Sequence, residues 1–481
     1  MAHVAERDRE VEESGELKRV MGPGLLLLFI VGDILGTGVY ALTGDVAAEV
    51  GGAAWAPFLV AFAIAILTAF SYLELVTKYP QAAGAALYTH KAFGIHFLTF
   101  IVCFTVMCSG ITSASTASRA FASNLAKGFG LDDKNSGLIL LVALGFMTLV
   151  GAINFRGVGE SVKANIVLTL VELSGLLLVI FVGFFALFGG KGDWSRTLIF
   201  DSPGDKSSFF AVTAATSLAF FAMVGFEDSV NMAEETKDPV RIFPKMMLTG
   251  LGITGVIYVL ISLCSVALVP VGVLADSDTP LVTVVETAAP GVPIKDLLPF
   301  ISMFAVANSA LINMLMASRL LYGMSRQDVL PHFLGKVHPT RRTPYAAIIF
   351  TTLIAFGLIG YVSFASTDAI AALGGTTSLL LLGVFTIVNI VVLVLRRDPL
   401  PGKHFVTPSA LPVIGALACF FLVLPLSGRP AEHYRIGGGL LVLGVLLWVL
   451  TWLANRGLRA KKTYFRDPED LTSAPPPPDS R

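Results

Sequence analysis

Two long apolar stretches, about five membrane crossings apart, are each interrupted near the middle by glycine and polar residues. The first runs from Met21 to Ala48 and carries Gly32-Asp33-Ile34-Leu35-Gly36-Thr37-Gly38-Val39-Tyr40. The second runs from Ser208 to Ala233 and carries Phe220-Phe221-Ala222-Met223-Val224-Gly225-Phe226-Glu227-Asp228. Hydrocarbon offers no partner to a freed peptide group or to a charge, so such breaks are unfavourable in a lipid-facing helix. At matching places in two halves of a chain, they are expected where a small solute binds at mid-membrane.

The rest of the chain fits a membrane setting. Its 481 residues are 54% hydrophobic and only 14% charged, with mean hydropathy +0.76, whereas a soluble chain of this length would carry charged domain surfaces. Apolar runs of about twenty residues, enough to cross a bilayer, recur along it. Twelve spans are expected, near 22–48, 54–78, 96–126, 136–154, 164–188, 208–235, 243–270, 296–322, 344–364, 369–395, 409–427 and 436–455. The third and eighth are long enough to hide breaks.

Formal net charge is zero, but its distribution is uneven. With the N-terminus in the cytosol, inner segments collect most of the bases, among them Lys78, Arg156, Lys163, Lys237, Arg241, Arg326, Arg396 and Arg397. The outer loops hold Asp45, Asp132, Asp133, Asp193, Asp201, Asp276 and Asp278. The positive-inside bias therefore predicts a multi-pass protein of the cytoplasmic membrane with both termini cytosolic. Cys103, Cys108, Cys264 and Cys419 all fall inside spans, without a CxxC pair, and are read as buried free thiols. No cleavable signal peptide is expected, and the Pro-rich end from Ser473 reads as a disordered tail.

The segment order suggests tails at 1–21 and 456–481, a first five-helix unit over 22–188, a second over 208–395, and two extra helices over 409–455. An odd number of crossings per unit inverts the second relative to the first. The piece from Gln81 to Phe93 reads as an inner-face helix, and Leu281 to Ala288 as a short outer one.

Gly36-Thr37-Gly38 has two readings. Small residues let helices pack closely, and Gly32 with Gly36 could serve that role. Unwinding would instead expose amides at the start of the following half-helix, where the positive dipole end suits a carboxylate. Around Phe221 to Gly225, freed carbonyls could accept hydrogen bonds from an ammonium group. Phe221 or Phe226 could close over the solute, or either could be an ordinary core side chain among the 34 phenylalanines. Asp33, Glu172 and Glu227 lie within spans, with Asp228 beside them, and an intramembrane acid needs a partner or a function. One of them could load and release a proton; a neutral, hydrogen-bonded acid, or a static pair with a base such as Arg119 or Arg319, is the plainer alternative. Glu74, next to Lys78, reads as structural. Ser109 to Ser118 on helix three, and Asn308, Ser309 and Asn313 on helix eight, could line a wet cavity or simply pack. Glu234 to Lys245 could form a salt-bridge gate.

Together these segments resemble the amino acid–polyamine–organocation superfamily of secondary transporters, particularly its bacterial and cationic-amino-acid-type permeases. The resemblance spans about residues 20 to 400. It rests on GDILGTGVYALTG at 32–44, YLELVTKYPQAAGAALYTHKAFG at 72–94, FRGVGESVKAN at 155–165, FFAMVGFEDSVNMAEETKDPVRIFP at 220–244 and ASRLLYGMSRQDVLP at 317–331. It implies an all-α integral membrane protein of twelve transmembrane helices. Their arrangement would be a five-plus-five inverted repeat with discontinuous helices 1 and 6 (LeuT-like), plus two extra helices. It further implies that Gly36, Thr37 and Gly38 hold a substrate carboxylate, that the Phe221, Ala222 and Met223 backbone holds its amine, that Phe221 gates, and that Glu227 is a functional acid. One departure concerns helix five. Proton-coupled relatives can carry a lysine where VLTLVELSG places Glu172, and a glutamate cannot stand in for a cation.

The expected function is a secondary active transporter of amino acids coupled to protons. An amine or polyamine permease, a sodium symporter and an exchanger are the alternatives. No HExxH, P-loop or GxSxG pattern supports an enzyme, and no cofactor, metal or nucleic acid is expected.

Overall fold

A peptide group left unpaired in hydrocarbon costs several kcal/mol, so the long apolar runs can persist only as helices or closed barrels. In the computed structural model they are helices. It describes residues 19, 21–81, 84–132, 135–156, 161–201, 207–341, 343–366, 368–397 and 403–458. Nearly all of both expected tails, Asp133, and residues 157–160 of the FRGVGESVKAN motif lie outside that set.

The first half comprises α1 (Pro23–Leu35), α2 (Thr37–Val50), α3 (Trp55–Lys78), α4 (Gly84–Phe93), α5 (His96–Gly128), α6 (Ser136–Arg156) and α7 (Ser161–Phe188). After a 3-10 turn at Trp194–Leu198, α8 (Ser208–Ala219) gives way to 3-10 turns at Phe220–Met223 and Asp228–Met232. The chain continues with α9 (Pro239–Leu268), α10 (Val271–Ala275), α11 (Pro280–Ala288), α12 (Ile294–Arg326), α13 (Tyr345–Ala365), α14 (Ala369–Leu395), α15 (Ala410–Val423) and α16 (Ala431–Leu458). The expected inner-face and outer short helices are α4 and α11.

Among the described residues, eleven helical segments are long and apolar enough to cross a bilayer, counting α1 with α2 as one and α8 with the following 3-10 turns as another. The eleventh expected span, 409–427, forms only the 14-residue α15. At 1.5 Å per residue it reaches about 21 Å, short of a hydrocarbon layer of about 30 Å. Pro425 explains where it stops, because proline forces the preceding Leu424 into an extended conformation (ψ 149°). The long α5 and α12, each of 33 residues, run unbroken as α-helices.

One face gathers Met21, bridged to Thr236, and Lys78, which donates to the Leu395 carbonyl beside Arg396; the opposite face gathers Asp278 and Asp368, which line one cavity with Asp45 of α2, the helix capped at its end by Gly51. On the Met21 face, the Met21 amide donates to the Glu235 carbonyl at 2.9 Å and the Lys237 amide returns to Met21 at 3.0 Å. A backbone bridge thus joins the entry to the first span with the exit from the sixth, within the segment where the sequence suggested a salt-bridge gate.

The most extensive interface joins α5 to α12; α9 packs on α3, and α13 on α6. Small residues permit these approaches, as where Gly110 of α5 faces the Asn313 carbonyl of α12 and Gly255 of α9 faces the Phe62 ring of α3. Buried polar side chains add directional ties. Asn389 on α14 donates to Thr68 of α3 at 3.1 Å and accepts from Ser71 at 2.6 Å. All four cysteines are buried and free.

At the Met21 end of the same helices, Glu74 receives both Nε and Nη2 of Arg396 at 2.7 Å, and the Thr407 amide at 2.8 Å. Glu74 is therefore structural. Its hydrogen bonds raise the Arg396 guanidinium further above the ordinary arginine range. Arg396→Ala would strand a buried carboxylate, at a cost of about 3 kcal/mol. Thermal unfolding in detergent should show a lower Tm for Arg396→Ala, with partial recovery in a Glu74→Leu/Arg396→Leu double variant; an unchanged Tm for the single variant would remove the pair from the account of stability.

Candidate functional site

The first break is confined to one residue. Gly36 (φ −28°, ψ −145°) ends α1 and precedes α2, so Thr37, Gly38 and Val39 open a new half-helix. Their amides lack intrahelical acceptors and sit at the positive end of the α2 dipole. The carbonyl of Ile34, at the other side of the break, accepts the Tyr258 hydroxyl of α9 at 2.5 Å.

The second break is longer than the sequence suggested. After α8 the chain makes a 3-10 turn, extends at Val224 (ψ 144°), and turns at Gly225 with φ +125°, a conformation that favours glycine. No α-helix resumes before Pro239. The Gly225 amide donates to the Glu227 carboxylate at 2.8 Å, so this acid braces the turn of its own segment.

The two breaks meet. A methyl group on Gly38 would run into the backbone of Ala222, and one on Gly225 would lie 2.7 Å from the Asp33 carbonyl. On Gly36 it would lie 2.9 Å from Ser309 Oγ of α12, and on Gly32 it would strike Thr169 of α7. Close packing and helix interruption, which the sequence left as alternatives, are thus both present. Glycine at 32 seats the first half-helix on α7, and glycine at 38 and 225 lets one break touch the other.

Between them lies a small cavity lined by Asp33, Gly36, Thr37, Gly38, Phe221 and Asp228, completed by Ile34, Ser113, Val224, Gly225, Ser309 and Asn313. Its volume is about 10 Å³, on the order of one water molecule. Of the polar residues suggested on helices three and eight, Ser113, Ser309 and Asn313 face this space, whereas Asn308 turns away to donate to Asn165 at 3.0 Å. Phe221 lines the cavity, and its ring also lies against Gly374 of α14.

Ala222 and Met223 are buried beside the cavity rather than among its lining residues. Phe226, the other candidate gate, is a core side chain. It is 0% exposed and packs edge-on to Tyr72 with ring centroids 5.9 Å apart, and against Phe385 at 5.4 Å.

The acids divide by environment. Asp33 is an electrostatic neighbour of Asp228, Glu227 and Glu172. Glu172 on α7 is 0% exposed, and neither carboxyl oxygen has a hydrogen-bond partner; Asp33 Oδ2 also has none. The Tyr40 hydroxyl donates to the backbone carbonyl of Glu172 at 2.9 Å and leaves its carboxyl group alone. The suggested arginines serve elsewhere: Arg119 donates to Ser363 at 2.9 Å beside a cavity of about 370 Å³ on the face opposite Met21, and Arg319 is exposed. Among the described residues no three His, Cys, Asp or Glu side chains are arranged to hold a metal ion. Sequence reasoning missed Tyr40, Tyr258 and Gly374, because their roles depend on partners far away in the chain.

A polar cavity where two interrupted spans touch recurs in secondary transporters. The family model for amino acid permeases matches residues 25–451. The branched-chain amino acid permease BcaP of Bacillus subtilis is 27% identical, with 93% of this chain and 95% of that protein aligned. The methylthioribose transporter of the same organism is 27% identical over 86% and 90%, respectively. Cationic amino acid transporter 9, chloroplastic, of Arabidopsis thaliana is 30% identical over 67% of this chain and 58% of its own length. The chain belongs to the amino acid permease family of the amino acid–polyamine–organocation superfamily, multi-pass membrane transporters rather than enzymes.

Proposed function

We propose that the chain is a secondary active transporter that moves amino acids across the cytoplasmic membrane by alternating access, coupled to protons. The observation that carries this reading is the meeting of the two helix breaks at Gly38–Ala222 and Gly225–Asp33. In this scheme the amides of Gly36, Thr37 and Gly38 bind the carboxylate, the backbone of Phe221, Ala222 and Met223 binds the ammonium group, and Phe221 covers both. A space of about 10 Å³ is far too small for an amino acid, so binding requires the breaks or Phe221 to move apart.

The twelve-helix, five-plus-five inverted repeat is part of the proposal. It is supported by which helices touch: the second and seventh spans (α3 and α9), third and eighth (α5 and α12), and fourth and ninth (α6 and α13) pack as mates about a pseudo-two-fold axis would. The Met21 face is assigned to the cytosol, because Lys78, Arg396 and Arg397 gather there.

Glu172 is the leading coupling group. A fully buried carboxyl group without a hydrogen-bond partner is suited to gain and lose a proton as neighbouring helices move. Asp33 shares part of that character, being 5% exposed with Oδ2 lacking a partner. Glu227, which holds the Gly225 amide, acts as a brace instead. A second reading, an amine or cationic amino acid as substrate, draws support from the two acids lining the cavity, Asp33 and Asp228.

Labelled amino acids and polyamines offered to proteoliposomes in sodium-free buffer should include a compound taken up saturably and faster under an inward proton gradient. Saturable uptake indifferent to the gradient would instead favour exchange or sodium coupling. Gly38→Ala, whose methyl group would collide with Ala222, should lower substrate affinity about tenfold or more while leaving the protein inserted and monodisperse. Retained affinity would remove Gly38 from the site. In Glu172→Gln, which cannot titrate, uptake should lose its dependence on pH, and an unaltered pH profile would exclude Glu172 from coupling.

A further inference from the structure

Arg429, in the turn between α15 and α16, is 5% exposed. Its Nε donates to the Leu422 carbonyl at 3.2 Å, its Nη1 to the Gly375 carbonyl at 2.6 Å, and its Nη2 to the Ser217 carbonyl at 3.4 Å and to Ser378 Oγ at 3.3 Å. Each of these acceptors is a neutral oxygen. A guanidinium removed from water without a carboxylate is unfavourable unless something else balances its charge.

Helix ends supply the balance. Ser217 lies in the last turn of α8, and Leu422 in the last turn of α15. Carbonyls at a helix C-terminus have no intrahelical donor and carry the negative end of the dipole. One planar fork therefore caps two helix ends at once and adds a carbonyl of α14, a geometry that a lysine point charge cannot reproduce. Ser378 of α14 reinforces the join by donating to the same Ser217 carbonyl. The buried His433 ring presses on Gly375 from the same side.

Two of the carbonyls that Arg429 holds, those of Ser217 and Gly375, lead directly to the candidate site. Ser217 stands three residues before the 3-10 turn Phe220–Met223, and Gly374, next to Gly375, meets the Phe221 ring. We propose that Arg429 is a positioning residue: by capping α8 and tying it to Gly375, it holds the break in the sixth span and sets Phe221 over the cavity. The α15–α16 hairpin then acts on the transport site although no residue of it lines the cavity. This rests on the reading of Phe221 as the gate.

The test is a double-mutant cycle in proteoliposomes with labelled leucine and labelled arginine as probes. Arg429→Ala should raise KM about tenfold per folded transporter in the native background and scarcely at all in a Phe221→Leu background. Equal shifts in both backgrounds would overturn the inference, and an unaltered KM for Phe221→Leu alone would overturn the gate reading beneath it. Arg429→Lys should give an intermediate KM. If Arg429→Ala fails to fold, Ser378→Ala takes its place in the cycle. If neither probe is carried, hydrogen exchange of purified protein decides independently of substrate. Arg429→Ala should then accelerate exchange at 218–224 and leave 68–76 of α3 unchanged; uniform acceleration, or none, would overturn the inference.

Discussion

Every peptide group inside a bilayer must find a partner within the protein, and this requirement governs where the chain can interrupt its helices. A break frees amides on one side and carbonyls on the other. Around the first break, Tyr258 takes the Ile34 carbonyl. Around the second, Glu227 takes the Gly225 amide and Arg429 takes the Ser217 carbonyl. The discontinuities are therefore maintained by side chains contributed from α9, from the turn itself and from the terminal hairpin. Among the described residues, the first turn of α2 keeps amides without intrahelical acceptors, and it borders a polar cavity that both breaks line.

Close approach is the second theme. Glycine at 38 and 225 allows two backbones to touch, and so small a cavity between them follows from the same absence of side chains. In the proposed scheme a solute enters by separating surfaces that already fit. Its binding free energy must then exceed the packing it disrupts, which makes any closure over the solute sensitive to residues, such as Phe221, that pack on both a break and a neighbouring helix.

Charge is partitioned along the membrane normal. Glu74 and Arg396, near the Met21 face, satisfy one another bidentately and tie α3 to the end of α14. Glu172 and Asp33, deeper in the bundle, keep carboxyl oxygens without hydrogen-bond partners. The first arrangement is static support. The second leaves buried polar atoms unsatisfied next to the half-helix that borders the cavity.

Much of this was legible in the sequence. Apolar runs of bilayer length announced the helices, and glycine with neighbouring acids marked both interruptions, because these signals are local and carry a large penalty when misplaced in hydrocarbon. Proline at 425 could have warned that α15 would be short. Other features were beyond local pattern. That Phe226 is core while Phe221 borders the cavity follows from a one-sided packing against Tyr72 and Phe385 that no periodicity announces. That Arg119 and Arg319 leave the buried acids alone, and that Arg429 caps a helix more than two hundred residues earlier, depends on distances across the bundle. The sequence by itself determined that this chain spans a membrane and where its helices must yield. Only the tertiary structure decided which freed groups are repaired and which stay available, because hydrogen bonds and side-chain packing act through space rather than along the chain.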